Sequence, residues 1–190
     1  MIDPINVTDY NRTENELQEF IAFGLLVTGK NAITTSRLLD NFIKDFKYED
    51  DALFEVFKRF ELTVLSQALK NYGFGCYNAK AKGIYQLVRA NLNLRTCTVD
   101  DLEKISGIGK KTSRFFVLHT RQDAQCIPLD VHILHYLRDL GHDVPKATPC
   151  NKKYLEIEKI CLKYVSSSKK TCAEWDLDTW RTYSGNKVAI

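Results

Sequence analysis

Apolar residues recur at intervals of three and four along almost the whole chain, and this spacing restricts the fold more than any other feature. The segment 16–27 is an example, with Leu17, Phe20, Ile21 and Leu25 at helical spacing. No stretch alternates apolar and polar residues in a way that convincingly predicts a strand. The sequence therefore predicts an all-α protein.

Turn and capping residues divide the periodic stretches into short helices. Pro128 cannot continue a helix, so Asp130 is expected at the N-cap of the helix that follows it. Thr98 is a second predicted N-cap, with acidic residues in the turn that follows. The helices are predicted at about 16–27, 34–46, 51–60, 63–69, from 78, from 98, from 110, 131–140, 151–166 and 171–183.

Composition and charge limit the class of protein. A chain of 190 residues suits one domain or two small lobes. A net charge of +3 does not by itself indicate a nucleic-acid partner, but segregated charges could form a basic surface for one. The charges segregate partly, because acidic residues gather near the N-terminus while a basic group lies mid-chain: Lys80, Lys82, Lys110, Lys111 and Arg114.

The six cysteines lie at least eleven residues apart and form no C-x-x-C pair, so they predict reduced structural thiols rather than a zinc or iron–sulfur site. No signal peptide and no membrane-spanning run is apparent. These features predict an intracellular protein, in the cytoplasm or nucleoid of a prokaryote or the nucleus of a eukaryote.

One glycine-rich turn has the pattern of a phosphate-binding site. In Leu102-Glu-Lys-Ile-Ser-Gly-Ile-Gly-Lys-Lys-Thr, the glycines flank an isoleucine that is expected to be buried. Small residues there let backbone amides at the start of the next helix approach a phosphate. A helix–helix turn that needs glycine only for packing explains the pattern about equally well, and the adjacent lysines favour phosphate.

This segment, followed by Leu-Asp-Val-His-Ile at 129–133, resembles the helix-hairpin-helix DNA glycosylase superfamily. The resemblance implies a single glycosylase domain over 1–190 with two helical subdomains flanking a cleft, one at about 28–125 and the other formed by 1–27 and 126–190. It also implies that Lys111 attacks the sugar C1′ and that Asp130, nineteen residues later, assists departure of the base. Glycosylases with this lysine also cleave the strand.

Further segments extend the resemblance. Residues 73–84 are similar to a stretch of endonuclease III relatives, and 25–32 align with their strand-invading loop, which implies Lys30 and Asn31 as the wedge that replaces a flipped nucleotide. A plain polar turn remains an equal alternative for these two residues. The implied DNA-binding set is Gly107, Ile108, Gly109, Lys110, Thr112, Lys30, Asn31 and Lys80, the last on the predicted solvent-facing side of its helix.

The C-terminal part departs from endonuclease III, since the three last cysteines have neither the number nor the spacing for its four-cysteine cluster. Residues 173–187 instead resemble the ending of the compact 8-oxoguanine glycosylase/lyases, although this chain continues past Lys187. That resemblance implies a base pocket that includes Trp175, Asp176 and Trp180.

The predicted chemistry needs a neutral lysine, which a helix N-terminus, a neighbouring cationic Lys110 and partial desolvation all favour. No cofactor is required, and a catalytic metal at His132 and His135 is rejected because no other ligands accompany them. The resemblance allows a sodium or potassium ion at hairpin carbonyls around Ser106 and Ile108. The expected protein is a monomer that binds double-stranded DNA carrying a damaged base and has no membrane partner.

The leading hypothesis is a bifunctional glycosylase/lyase for an oxidised base, with 8-oxoguanine favoured. One alternative is an endonuclease III-like enzyme for oxidised pyrimidines. The other is a non-catalytic helix-hairpin-helix module that needs Gly107, Gly109 and Lys110 but not Lys111 or Asp130.

Overall fold

The computed structural model describes residues 2–48 and 51–184, and all regular structure in these ranges is helical. This confirms the all-α prediction. None of the helices within these ranges is long and apolar enough to cross a membrane. The ten helices described are α1 (Glu14–Leu26), α2 (Ala32–Phe46), α3 (Leu53–Lys58), α4 (Leu62–Asn71), α5 (Tyr77–Leu87), α6 (Val99–Glu103), α7 (Lys110–Thr120), α8 (Val131–Asp139), α9 (Asn151–Ser167) and α10 (Cys172–Tyr183).

The helix starts follow the capping residues closely. Thr98 caps α6 as predicted, and its hydroxyl and the Asp101 carboxylate form a reciprocal capping box. Helix α2 begins two residues earlier than predicted, because the Asn31 side chain accepts a hydrogen bond from the amide of Thr34 at 3.0 Å and so forms the N-cap.

Contacts divide the chain into two compact units, and the division falls between Gly109 and Lys110. We call the part up to Gly109 unit 1 and the part from Lys110 unit 2. The family resemblance implied that 1–27 groups with 126–190, whereas α1 packs within unit 1 against α2, α3 and α5. That grouping remains a prediction.

Unit 1 is organised around aromatic side chains. Phe42 on α2 is fully buried, with its ring centroid between 4.8 and 5.8 Å from each of four other rings: Phe46, Phe57, Phe60 and Tyr72. Such clusters combine a large buried apolar area with favourable tilted and edge-on ring geometry. They account for how six-residue α3 can be held in place although it is too short to be stable alone.

In unit 2, α8 and α10 pack together, and α7 and α9 also pack on α10. The interior includes Ile133, Leu134 and Leu137 from α8. It also contains thiols, and burial raises the pKa of Cys126 and of Cys161 to about 12. Cys76 in unit 1 and Cys150 in unit 2 are exposed.

Candidate active site

The glycine-rich turn lies at the end of unit 1 and leads directly into α7. Gly107 has φ +85°, a backbone conformation that favours glycine, and the Ile108 amide donates to the Ile105 carbonyl at 3.0 Å. The Ile108 side chain is buried, as expected. A Cβ placed on Gly109 would meet no atom of the described chain within 4 Å, so packing does not explain glycine at this position.

Helix α5 supports this turn from within unit 1. The Gln86 side-chain oxygen accepts a hydrogen bond from the Ser106 amide at 2.8 Å. One turn earlier, a Cβ on Gly83 would lie within 3.0 Å of both the Ser106 carbonyl oxygen and a Leu25 methyl group. Glycine is therefore needed at 83 for the close approach of α5 to the turn, a role that the sequence analysis did not identify.

Lys111 lies in the first turn of α7, the first helix of unit 2, and its side chain is exposed. The partial desolvation expected for it is not found, because the next three residues, Thr112, Ser113 and Arg114, take the buried positions of this turn. Thr112, predicted to contact DNA, thus has a buried side chain. Lys110 is half-buried.

Asp130 is the N-cap of α8, as predicted. Its Oδ1 atom accepts hydrogen bonds from the amides of His132 and Ile133, both at 2.9 Å, and the residue has extended backbone geometry. Because both amides bind Oδ1, the cap leaves Oδ2 unused. The half-buried carboxylate is thus fixed by one oxygen while the other can face a ligand.

A buried histidine–aspartate pair lies in the same unit. His119 near the end of α7 is 0% exposed, and its Nε2 atom is 3.2 Å from Oδ2 of Asp176 on α10. Burial raises the pKa of Asp176, and the negative charge of Asp130 raises it further. The hydrogen bond and charge of His119 and the positive charge of Lys111 lower it. Lys111 and Asp130 therefore both act electrostatically on one buried carboxylate.

The predicted base-pocket residues differ in exposure. Trp175 is buried and meets the Tyr136 ring edge-on, with centroids 5.5 Å apart. Trp180 is half-buried, and its ring lies 6.5 Å from that of His132. Asp176 is engaged with His119 as described. Lys187 lies outside the described residues.

The DNA-binding candidates of unit 1 also differ in exposure. Lys30 and Asn31 are exposed in and after the turn between α1 and α2. The solvent-facing position predicted for Lys80 is wrong, because this residue is 4% exposed and its ammonium donates to the Leu26 carbonyl at the end of α1. It shares the inward face of α5 with Ala81 and Ile84. Burial lowers the pKa of Lys80, and the positive charge of Lys30 lowers it further. Cys76 acts in the opposite direction and raises this pKa.

Comparison with solved structures identifies the class of fold. A scan against models of known protein families finds no match. Solved structures that match almost the whole chain are DNA glycosylases, and this chain has their helical fold.

The particular proteins it is similar to are 8-oxoguanine glycosylases. The Methanocaldococcus jannaschii 8-oxoguanine glycosylase/lyase, in complex with a 15mer DNA containing 8-oxoguanine, is 23% identical with a TM-score of 0.72, over 94% of this chain and 86% of that one. The Thermotoga maritima 8-oxoguanine DNA glycosylase is 23% identical with a TM-score of 0.69, over 91% and 82%. At such identities the similarity establishes the fold.

Proposed function

We propose that this protein is a DNA glycosylase with lyase activity that removes 8-oxoguanine from duplex DNA. The observation that carries the proposal is that unit 2 presents an exposed lysine, Lys111, in the first turn of α7 and a carboxylate, Asp130, fixed as the N-cap of α8. An amine that can attack C1′ and a fixed carboxylate that can stabilise charge on the sugar are the two groups that base excision needs. The two solved structures described above are 8-oxoguanine glycosylases, which favours that substrate over oxidised pyrimidines.

In the proposed first step, the neutral Lys111 amine attacks C1′ of the damaged nucleotide. The bond from C1′ to the base nitrogen breaks, the base leaves with the bonding electron pair and takes up a proton, and the lysine nitrogen loses one. Positive charge develops on the sugar as this bond breaks. The Asp130 carboxylate, fixed through Oδ1, stabilises that charge with its other oxygen.

Strand cleavage follows from the amine nucleophile. Ring opening converts the C1′–lysine adduct into an iminium, which makes the hydrogens on C2′ acidic. Removal of one of them as a proton breaks the C3′–O bond, and the strand on the 3′ side leaves with the phosphate at its 5′ end. Water then hydrolyses the imine and restores the lysine.

Binding of the duplex is assigned to the glycine-rich turn and the exposed turn at Lys30 and Asn31. Open space over Gly109 lets a phosphate approach the backbone amides at the start of α7. Lys30 and Asn31 are the proposed wedge when the nucleotide flips, and the half-buried Trp180 is the proposed aromatic wall for the extruded base. A monovalent cation at the hairpin carbonyls would add a further phosphate contact.

Borohydride trapping tests the nucleophile. Borohydride reduces the imine to a stable amine, so the wild-type protein should cross-link to duplex DNA that contains 8-oxoguanine. Lys111→Gln should reduce the cross-link to background, while the control Lys152→Gln, at an exposed lysine of α9, retains it. Equal trapping by wild type and Lys111→Gln, or none by either, would show that the mechanism is wrong.

Two duplexes that differ only in the lesion test the substrate. Base release from 8-oxoguanine should exceed release from thymine glycol at equal enzyme concentration. The reverse order would indicate an enzyme for oxidised pyrimidines. Binding to both without release from either would indicate a non-catalytic module.

A further inference from the structure

In the described part of the chain, residues 127–129, which lead into Asp130 and α8, form no hydrogen bonds with other backbone groups. Within residues 127–129, the Leu129 amide donates to the Tyr154 hydroxyl at 2.8 Å, and that hydroxyl donates to the Ile127 carbonyl at 2.9 Å. The Leu129 carbonyl accepts from the Thr148 hydroxyl at 3.1 Å. Tyr154, on α9, is fully buried.

Glu158, one helical turn after Tyr154, completes the arrangement. Its Oε1 atom accepts the Ile127 amide at 3.0 Å and the Arg114 Nε atom at 2.8 Å. All four polar backbone groups of Ile127 and Leu129 are thus held by side chains, and proline between them contributes no donor.

Arg114 extends this network to the nucleophile helix. It lies on α7, three residues after Lys111, and its guanidinium is 5.0 Å from the centre of the Tyr154 ring. The side chains of Arg114 and Glu158 are both more than nine-tenths buried. The two elements that carry Lys111 and Asp130 are therefore tied to the same two residues of α9.

Such a network is costly to bury. A buried ion pair often contributes no more stability than apolar residues of the same volume, because both charges lose their hydration. A hydroxyl that bridges two backbone groups likewise returns little net stability compared with its desolvation. What the network does supply is a fixed geometry for a segment that no regular structure holds.

We propose that Tyr154 and Glu158 are positioning residues that fix Asp130 with respect to Lys111. This inference rests on the proposed function, since it assigns these residues to the same reaction. Neither is a catalytic residue, because each acts through the 127–130 segment. A displacement of about 1 Å at a catalytic group can reduce a rate by about 100-fold.

Tyr154→Phe is the direct test, because it keeps the ring and removes only the bridging hydroxyl. Single-turnover base release should fall by about 10- to 100-fold while the dissociation constant for the same duplex stays within about twofold. Tyr164→Phe is the matched control, since it also removes a hydroxyl from α9, where it pairs with His142 at 2.7 Å away from this segment. The control should retain the wild-type rate.

A double-mutant cycle with Asp130→Asn separates positioning from a general loss of structure. Asparagine keeps the capping oxygen and removes the charge. If Tyr154 acts through Asp130, Tyr154→Phe should lower the residual base release of Asp130→Asn by less than about twofold. An equal reduction in both backgrounds, or no reduction in the wild-type background, would overturn the proposal.

Glu158 provides an independent arm should Tyr154→Phe unfold the protein. Glu158→Gln retains an acceptor for the Ile127 amide, so it should retain more of the base-release rate than Glu158→Ala; equal rates would contradict the positioning role. A wild-type protein that releases no base overturns the proposed function and this inference together. An active wild type with unaffected variants overturns this inference alone.

Discussion

The two units compensate buried charge in different ways. In unit 1 the buried cations Arg12 and Lys80 donate to backbone carbonyls, those of Val7, Asp9 and Leu26. In unit 2 the buried Arg114 and His119 are each paired with a buried carboxylate, Glu158 and Asp176. Among the described residues of unit 1, the charged side chains that are less than one-tenth exposed are therefore cations, whereas unit 2 buries both members of each pair.

This difference indicates where the molecule is built for stability and where it is built for geometry. Burying a carboxylate costs several kcal/mol unless hydrogen bonds compensate, so stability alone does not favour it. In unit 2 both carboxylates lie in the surroundings of Lys111 and Asp130, one by contact with the 127–130 segment and one electrostatically. Unit 1 has its aromatic cluster around Phe42 instead.

The aromatic cluster offers the largest test of this contrast. Phe42→Ala removes a fully buried ring and should reduce the free energy of unfolding by about 3–5 kcal/mol in urea titration. Tyr48→Ala, at an aromatic residue 72% exposed, is the control and should change it by less than about 1 kcal/mol. Similar losses from both variants would mean that unit 1 does not depend on this cluster.

Two glycine substitutions at the hairpin distinguish a glycine needed for packing from one needed for phosphate binding. Gly83→Ala places a methyl group against the Ser106 carbonyl and should cost about 1–3 kcal/mol by overpacking, measured by urea titration. Gly109→Ala meets no atom and should leave stability within about 0.5 kcal/mol, yet weaken duplex binding because the methyl obstructs a phosphate. Unchanged binding by Gly109→Ala would mean that this glycine does not serve a phosphate.

The pH dependence of unfolding should have opposite signs at two aspartates. Burial raises the pKa of Asp176 above its ordinary 3.8, so just above that pH the folded chain keeps a proton that the unfolded chain has lost. Stability from this group therefore falls as pH rises through the interval. The Lys104 hydrogen bond and the Thr98 contacts lower the pKa of Asp101, so its stabilisation is present above 3.8 and is lost in acid.

Asp176→Asn and Asp101→Asn allow the two signs to be measured. Urea titrations from about pH 3 to about pH 6 should show that Asp176→Asn gains stability relative to wild type as pH rises. Asp101→Asn should instead lose stability relative to wild type over the same range. Parallel pH profiles for the two variants would contradict the assignment.

The smallest expected effect distinguishes two lysines of unit 1. Lys30→Ala, at an exposed residue of the proposed wedge, should reduce the slope of log affinity against log salt by about 1, because one positive charge close to the phosphates is lost. Lys80→Met should leave the slope unchanged, since its ammonium is buried against Leu26. A reduced slope for Lys80→Met would show that its charge does reach the DNA.

How far the sequence predicts the molecule depends on the range of the interaction. Asp130 was placed correctly as a cap because the signal lies within a few residues: a proline, then an acid, then a helical period. The prediction for Lys80 was wrong because a charged residue on an amphipathic helix is ordinarily solvated. The neighbouring sequence does not show that the Leu26 carbonyl accepts a hydrogen bond from its ammonium. Glycine at 83 is likewise explained only by contacts distant in sequence, with the Ser106 carbonyl and the Leu25 side chain.

The partners that support the site are more distant still. His119 pairs with a residue 57 positions away and Arg114 with one 44 positions away, so helical periodicity cannot select them. A signal was nevertheless present, since His119 follows the apolar run Phe-Phe-Val-Leu on α7. A histidine on the buried face of a helix needs a polar partner, although the sequence does not say which.

The exposed thiols at Cys76 and Cys150 give the protein a pair of natural labelling positions, one in each unit. Maleimide reagents at neutral pH should prefer them, because the thiols of Cys126 and Cys161 are buried and hold their protons up to a pKa of about 12. Energy transfer between a donor and an acceptor dye attached there would report the distance between the two labelled positions. The transfer efficiency with and without a lesion-bearing duplex would show whether unit 1 and unit 2 move when the substrate binds.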